Sequence, residues 1–465
     1  MRRPTALTFG ISILTLFLWG CERARTPGPR PNIVLITLDT VRADHLSCYG
    51  YGESETPAID RIAREGVRFD SAISSSPWTL PAHASLLTGL AVSQHGARYD
   101  VRGSEGINLH RIKSLGRGPT TLAEALRRSD YHTMAAVGGV WMKPDFGADR
   151  GFDRYEAKIE SWAGVPADEL TGQAIELIDR RPADQPFLLF LNYFDAHLPY
   201  APPAEFNPAG TRLDRSGSEV ELHVNRHGRK LDPTERDQLT ALYDAEIRRI
   251  DHHLGKLWAA LEERDLYDQT WIIVTADHGE SFGEHHFFGH GLRVWHDIAR
   301  VPLIMKLPSN ASGAGSPGAV IADAVQPREC FTTILDLLDL PLPPHVTGRN
   351  LLSSDLGDEA IVVEAFRSYS AIKKFGPAFD RDERALYESG LKLLRRSDGE
   401  IALYDIASDP DETNDLAPSR PARAQEMADA LAEWTLRAGR PVFSGKAAAI
   451  DSEDEKRLRA LGYLD

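Results

Sequence analysis

Two apolar runs in this chain each end in a metal-ligand residue type, and that repeated arrangement constrains the fold more than any other feature. Thr270-Trp-Ile-Ile-Val-Thr-Ala276 delivers Asp277 and His278 into a loop that begins Gly279-Glu280. Asn32-Ile-Val-Leu-Ile-Thr-Leu38 delivers Asp39-Thr40 in the same way. In parallel sheets, ligands and catalytic groups collect at the carboxyl ends of strands. Two distant strands therefore each present a hard oxygen ligand at one edge of a common sheet.

The rest of the pattern agrees with such a sheet. Runs at 32–38, 133–138, 186–192, 271–276 and 301–306 read as strands. Helical patterns at 57–65, 80–88, 119–129, 168–180, 234–264 and 328–339 alternate with them. That alternation implies an α/β fold, a largely parallel sheet with helices on both faces. The segment 204–232 lacks periodicity and reads as a surface insertion. After Leu340-Pro-Leu-Pro-Pro344 the texture changes. Runs at Ala360 to Glu364, Leu386 to Arg396 and Ile401 to Tyr404 suggest a small antiparallel sheet, and Ala422 to Leu436 a helix. The expected organisation is a catalytic domain over 32–345 and a C-terminal α+β subdomain over 346–465 that completes the fold.

The N-terminus reads as a targeting segment. Met1-Arg2-Arg3 is basic, Ala6 to Trp19 is a short apolar stretch, and Gly20-Cys21 follows. Leu18-Trp19-Gly20-Cys21 resembles a bacterial lipoprotein signal. The expectation is a signal over 1–21, a charged, Pro-rich tether over 22–31, and export to the bacterial cell envelope with a lipid anchor at Cys21. A plain signal peptide or an uncleaved anchor is the alternative. Only Cys48 and Cys330 then remain, too few and too far apart for a disulfide scaffold or a thiolate metal site. With 53 basic against 68 acidic residues the chain carries −15, which argues against a nucleic-acid-binding surface.

Ser76-Pro-Trp-Thr79-Leu-Pro-Ala-His83 opens a helix, with Pro81 in its first turn and Thr79 near the N-cap. Thr79 reads as a helix cap. It also reads as a hydroxyl that a metal could hold and deprotonate, at a helix end whose N–H groups attract an anion. Among the histidines, His45, next to Asp44, reads as a residue fixing the first loop. One of His285 and His286 should face outward, and His252-His253 should face solvent. Glu280 and Glu284 are candidates for orienting ligands, and Arg300 for a structural ion pair.

The order Asp39, then Thr79-x-Pro-x-His83 with Leu87-Thr88-Gly89, then Asp277-His278-Gly279-Glu280 resembles the sulfatase family of the alkaline phosphatase superfamily. Phe194-Asp195-Ala-His197-x-Pro199-Tyr200, Val301-Pro302-Leu303-Ile304, Leu403-Tyr404-Asp405 and the closing Leu458 to Tyr463 extend the likeness over roughly 31–465. The resemblance implies a metal-dependent hydrolase of ester substrates in an alkaline-phosphatase-like fold. It also implies that Asp39, Thr79, Asp277 and His278 hold one divalent ion. That ligand set suits Zn²⁺ or Mn²⁺ better than Ca²⁺. His83, His197 and His290 would bind substrate, and His197 or His290 would serve in proton transfer. With Asp195 they could instead complete a second metal site.

The departures redirect the chemistry. Sulfatases convert a Cys or Ser in Cys/Ser-x-Pro-x-Arg to formylglycine. Here the position is Thr79, so no formylglycine is expected, and His83 replaces the arginine. The lysine and histidine presented after the next strand have no match in Val137-Gly-Gly-Val-Trp-Met142, and Lys143 is out of register. Thr-x-Pro-x-His is similar to the nucleophile motif of nucleotide pyrophosphatase/phosphodiesterases. The favoured expectation is a Thr79 nucleophile acting on phosphate mono- or diesters, or transferring a phosphoryl group. A sulfuric-ester hydrolase without formylglycine and a non-catalytic scaffold lipoprotein are the rivals.

Overall fold

In the computed structural model, residues 30–100, 112–160, 164–309, 316–357 and 359–438 are described, with 442–443, 446–447 and 456 beyond them. The signal, Cys21, most of the tether and the Leu458 to Tyr463 motif lie outside the described residues.

Central strands that are apolar along their whole length must be covered on both faces, and Asn32–Leu38, Phe187–Tyr193 and Thr270–Thr275 are buried throughout. They lie side by side, Asn32–Leu38 between the other two, all parallel. His132–Val137 and Arg154–Glu156 extend the sheet beyond Phe187–Tyr193. On the other flank Leu303–Lys306 pairs antiparallel with Thr270–Thr275 and with Val67–Ile73, and Ala319–Val325 closes that edge in parallel with Val67–Ile73. The expected strand over 301–306 thus exists, but it runs against its neighbours. It is broken at Pro302, which has no N–H to give a ladder, so Arg300–Val301 forms a separate short pairing. Val67–Ile73 supplies the strand that precedes the Ser76 segment, while Ala319–Val325 was not expected, because Asp323 interrupts its apolar pattern.

Helices cover the faces. Pro233–Glu262 starts where the Asp232 carboxylate accepts the Thr234 N–H at 2.9 Å, with Pro233 at its first position. Its apolar face, Leu239, Tyr243, Ile247, Ile250, Leu254 and Leu257, is buried at helical spacing. His253 is buried there too, while His252 is exposed, so the pair does not face solvent together. The insertion carries a helical stretch, Gly217–Glu221 followed by Leu222–Arg226. In the C-terminal region Ile361–Ala365, Glu383–Glu388, Leu391–Arg396 and Ile401–Asp405 form a four-stranded antiparallel sheet. The run to Arg396 is therefore a hairpin turning at Ser389-Gly390, both with positive φ, and Pro421–Ala438 packs on the sheet as a helix. Cys48 and Cys330 are free. No helix among the described residues is long and apolar enough to cross a membrane.

Candidate active site

Sheet register builds the site. Thr37 stands beside Asn192 on one side and Thr275 on the other, so Asp39 and Asp277 leave adjacent strand ends. Neighbouring strands are about 4.8 Å apart, and side chains leaving their ends converge. Asp39, Asp277 and His278 are buried, with ligand atoms all within 4.8 Å of one another. Gly279 must follow, since a Cβ there would sit 2.3 Å from the Asp297 carbonyl oxygen.

Asp277 Oδ1 accepts the backbone N–H groups of Thr40 at 3.2 Å and His278 at 2.9 Å. Thr40 aims its amide this way from φ +61°, a conformation uncommon outside glycine. Asp39 Oδ2 takes Asn192 Nδ2–H at 3.4 Å. The other two oxygens, Asp39 Oδ1 and Asp277 Oδ2, are buried without a hydrogen-bond partner. Leaving a buried carboxylate oxygen unmatched is costly, and burial followed by the Asp277 charge pushes Asp39 well above the ordinary carboxylate range.

His278 Nδ1 donates to the Gly279 carbonyl at 3.0 Å, and this bond assigns the proton to Nδ1. Nε2 is left with its lone pair, 3.3 Å from Asp277 Oδ2 and 3.4 Å from Thr79 Oγ1. Burial holds His278 neutral, down to about 3. Two acceptors this close repel unless a cation lies between them. The orphaned oxygens, the imidazole lone pair and the Thr79 hydroxyl therefore fit a divalent metal ion.

Thr79 is not the cap. Trp78 occupies the N-cap with extended backbone, Thr79 is the first helical residue of Thr79–Thr88, and no side chain caps this end. His83, one turn on, donates from Nδ1 to the Thr79 carbonyl at 2.8 Å, and its Nε2 meets Thr37 Oγ1 at 2.9 Å. Both ring nitrogens are used inside the protein, so His83 stands behind Thr79 rather than on the substrate side.

His290 lies over the open side, its ring 4.5 Å from that of His278 and 4.9 Å from that of His197. Its Nδ1 is 2.9 Å from Glu280 Oε1, and Tyr200 donates to Glu280 Oε2 at 3.2 Å. Burial raises Glu280 to about 7 and lowers His197 and His290 to about 3. His197 stacks on Phe194 and donates from Nδ1 to the Leu198 carbonyl. Asp195 does not join them. Its Oδ1 accepts the Ala167 N–H at 2.9 Å and pairs with Arg249 at 3.2 Å. Among the described residues, one group of three or more metal-ligand side chains converges, and Asp195 is outside it. Trp141 and Met142, beside Lys143, are buried in the core.

Three residues escaped the sequence reading. Asn192 ties Asp39, Thr37 and His83 together, and Arg42 donates to the Glu280 carbonyl and to Glu284 while pairing with Asp44. Tyr243 bridges the first loop by donating to the Thr40 carbonyl and accepting the Arg42 N–H. Asn192 carried a usable signal, since it stands near the end of an apolar strand as Asp39 and Asp277 do. His45 pairs with Asp244 at 2.7 Å, His286 is exposed, and Arg300 donates to the Asp70 carbonyl.

The family model described as Sulfatase matches residues 31–340. The chain belongs to the sulfatase family. It is a metal-dependent-family hydrolase acting on ester bonds. It is 26% identical over 437 residues to "Uncharacterized sulfatase YidJ" of Escherichia coli, covering 83% of each chain. It is 24% identical to an arylsulfatase of Clostridium perfringens, covering 84% of this chain and 91% of that one. A crystal structure of a phosphonate monoester hydrolase from Agrobacterium radiobacter superposes with a TM-score of 0.71 at 22% identity, over 88% of this chain and 96% of that one. That likeness shows the alkaline-phosphatase-like fold.

Proposed function

We propose that this sulfatase-family hydrolase uses Thr79 as its nucleophile on phosphate mono- or diesters, or passes the phosphoryl group to an acceptor alcohol. The observation that carries the reading is the uncapped Thr79 hydroxyl, 3.4 Å from His278 Nε2 and beside two orphaned carboxylate oxygens. Asp39, Thr79, Asp277 and His278 would hold one divalent ion, Zn²⁺ or Mn²⁺ ahead of Ca²⁺. When bound, such an ion lowers the hydroxyl's pKa and offsets charge on the transferring group.

With its proton released to solvent, Thr79 Oγ1 attacks phosphorus, the bond to the departing alcohol breaks, and a Thr79 phosphoester forms. Water or an acceptor alcohol then cleaves it. His83 fixes Thr79 by holding its carbonyl. His290 gives a proton from Nε2 to the departing oxygen and takes one at Nδ1 from Glu280, a transfer that their 2.9 Å contact supports. His197 is placed to hold a phosphoryl oxygen or to substitute in that role.

Protein lacking residues 1–21 should hydrolyse a nitrophenyl phosphate ester faster than the sulfate ester when Zn²⁺ or Mn²⁺ is supplied. Thr79→Ala should abolish turnover with the circular-dichroism spectrum unchanged. The second reading, sulfuric-ester hydrolysis without formylglycine, is favoured by the names of the relatives, and a preference for the sulfate ester would establish it over the first. The lipobox-like Leu18 to Cys21 supports export to a bacterial envelope and lipid anchoring at Cys21. Cys21→Ser should move the protein from the membrane to the soluble fraction, and unchanged partition would refute the anchor.

A further inference from the structure

His197 and His290, but not Thr79, line a cavity of about 280 Å³. Its floor belongs to the catalytic region, with Leu198, Glu280 and Phe288. Its roof comes from two segments remote in sequence. Ser216 to Glu221 of the insertion forms one side, and Ser368, Ser370 and Phe375 of the C-terminal region form the other.

A charged contact locks the two halves of the roof. Lys374 Nζ meets Glu221 Oε2 at 2.6 Å, and the Lys374 carbonyl accepts Arg226 Nη1–H at 2.8 Å. The Lys374 charge is thereby matched, and Lys374 does not line the cavity while Glu221 does. The remaining polar wall is a row of hydroxyls. Tyr99 is hydrogen-bonded to Ser368, and Ser368 Oγ lies 2.8 Å from Ser370 Oγ. No lysine or arginine is among the described lining residues. An anion entering here would meet the Glu221 carboxylate with no lysine or arginine on the described lining to offset it, at a site where low polarity strengthens the repulsion. A neutral group would find hydroxyl partners and the apolar surfaces of Leu198, Phe288 and Phe375.

We infer that Glu221, held by Lys374, is a specificity-determining residue that selects esters whose alcohol portion carries no negative charge. This rests on the proposed ester chemistry for the position of the leaving group, but the charge selection itself belongs to the cavity.

The test uses the full chain with para-nitrophenyl phosphate and its meta-carboxylated analogue. The ester with the uncharged nitrophenyl portion should be favoured tenfold or more in kcat/KM, with the difference in KM. Glu221→Gln frees the Lys374 charge and should shrink the ratio at least tenfold or invert it. Glu221→Gln with Lys374→Met removes both charges and should leave the ratio between the two. The corresponding phenols, titrated calorimetrically below the phenol pKa, should show the same order of Kd without turnover. Equal Kd values in the unmodified chain, or a ratio unmoved by Glu221→Gln, would overturn the inference. Discrimination in binding with neither ester hydrolysed would sink the proposed chemistry and leave the charge selection standing.

Discussion

Two pairs of buried carboxylates are neutralised in different ways. Asp39 and Asp277 each keep an oxygen with no partner, and no lysine or arginine pairs with either among the described residues. Asp195 and Glu246 also each keep one unmatched oxygen, but Arg249 reaches both carboxylates, at 3.2 and 3.7 Å. Backbone amides complete the second pair, Ala167 to Asp195 and Ala201 to Glu246. A fixed guanidinium makes the second cluster a structural element that spans two helices and the Phe194 to Pro203 loop. The first lacks such a group and has an imidazole lone pair and a hydroxyl in its place, which is the composition of an ion site. Burial alone does not separate a functional acid from a structural one; the identity of the countercharge does.

The largest expected effect falls on the first pair. Asp277→Asn should cost at least 10³-fold in kcat/KM, about 4 kcal/mol of transition-state stabilisation, and should lose bound Zn²⁺ or Mn²⁺ by elemental analysis. Asp195→Asn should keep the ion at full stoichiometry. Equal ion loss in both variants would erase the distinction. Conversely, Arg249→Met should leave ion content unchanged while destabilising the fold by roughly 3–5 kcal/mol in urea titrations, because it strands two buried acids without their countercharge. Chelation is the next test in size. With ion 100-fold above its Kd, removal should lower unfolding free energy by about 2.7 kcal/mol, and Asp39→Asn should abolish that dependence. A chelator effect of the same size in Asp39→Asn would place the ion elsewhere.

What was legible in the sequence follows the same division. Asp39, Asp277 and His278 could be read because an apolar strand that ends in a ligand residue is a local signal. The role of His83 was misjudged for a reason that is also local. It stands four residues after Thr79 on a helix, so its ring returns to the Thr79 carbonyl, and the motif comparison that suggested substrate contact ignored that spacing. His253 was assigned to solvent with its neighbour, although adjacent helical positions are about 100° apart and cannot share an environment. That the 204–232 insertion and the C-terminal region shape the pocket was legible, but the pairing of Glu221 with Lys374 was not, since the two are 153 residues apart and neither lies in a periodic run. The Asp195 and Glu246 pair was equally hidden. Asp195 sits in a motif beside His197, which suggested a metal ligand, and only the tertiary position of Arg249 shows otherwise.

The smallest effect sharpens the comparison through pH. Burial, followed by the Asp195 charge, raises Glu246 to about 7 from an ordinary 4.5, and burial raises Asp195 to about 6 from 3.8. Both shifts have the same sign. The folded state holds protons that the unfolded chain has released, so this contribution to stability is present below the unfolded values and is lost as pH rises through the folded ones. Between pH 4.5 and 7 the unfolding free energy should fall by up to about 1.4 kcal/mol per pH unit for each retained proton. The two sites interact, so the slope belongs to the pair. Glu246→Gln removes one titrating group and the repulsion on Asp195 together, and should flatten the slope over this interval by about one proton. The measurement is urea unfolding of metal-saturated protein at closely spaced pH values, in the unmodified chain and the variant. An unchanged slope would mean that Arg249 neutralises the pair well enough to keep both carboxylates ionised, and the two clusters would then differ in the kind of countercharge but not in whether their protons are retained.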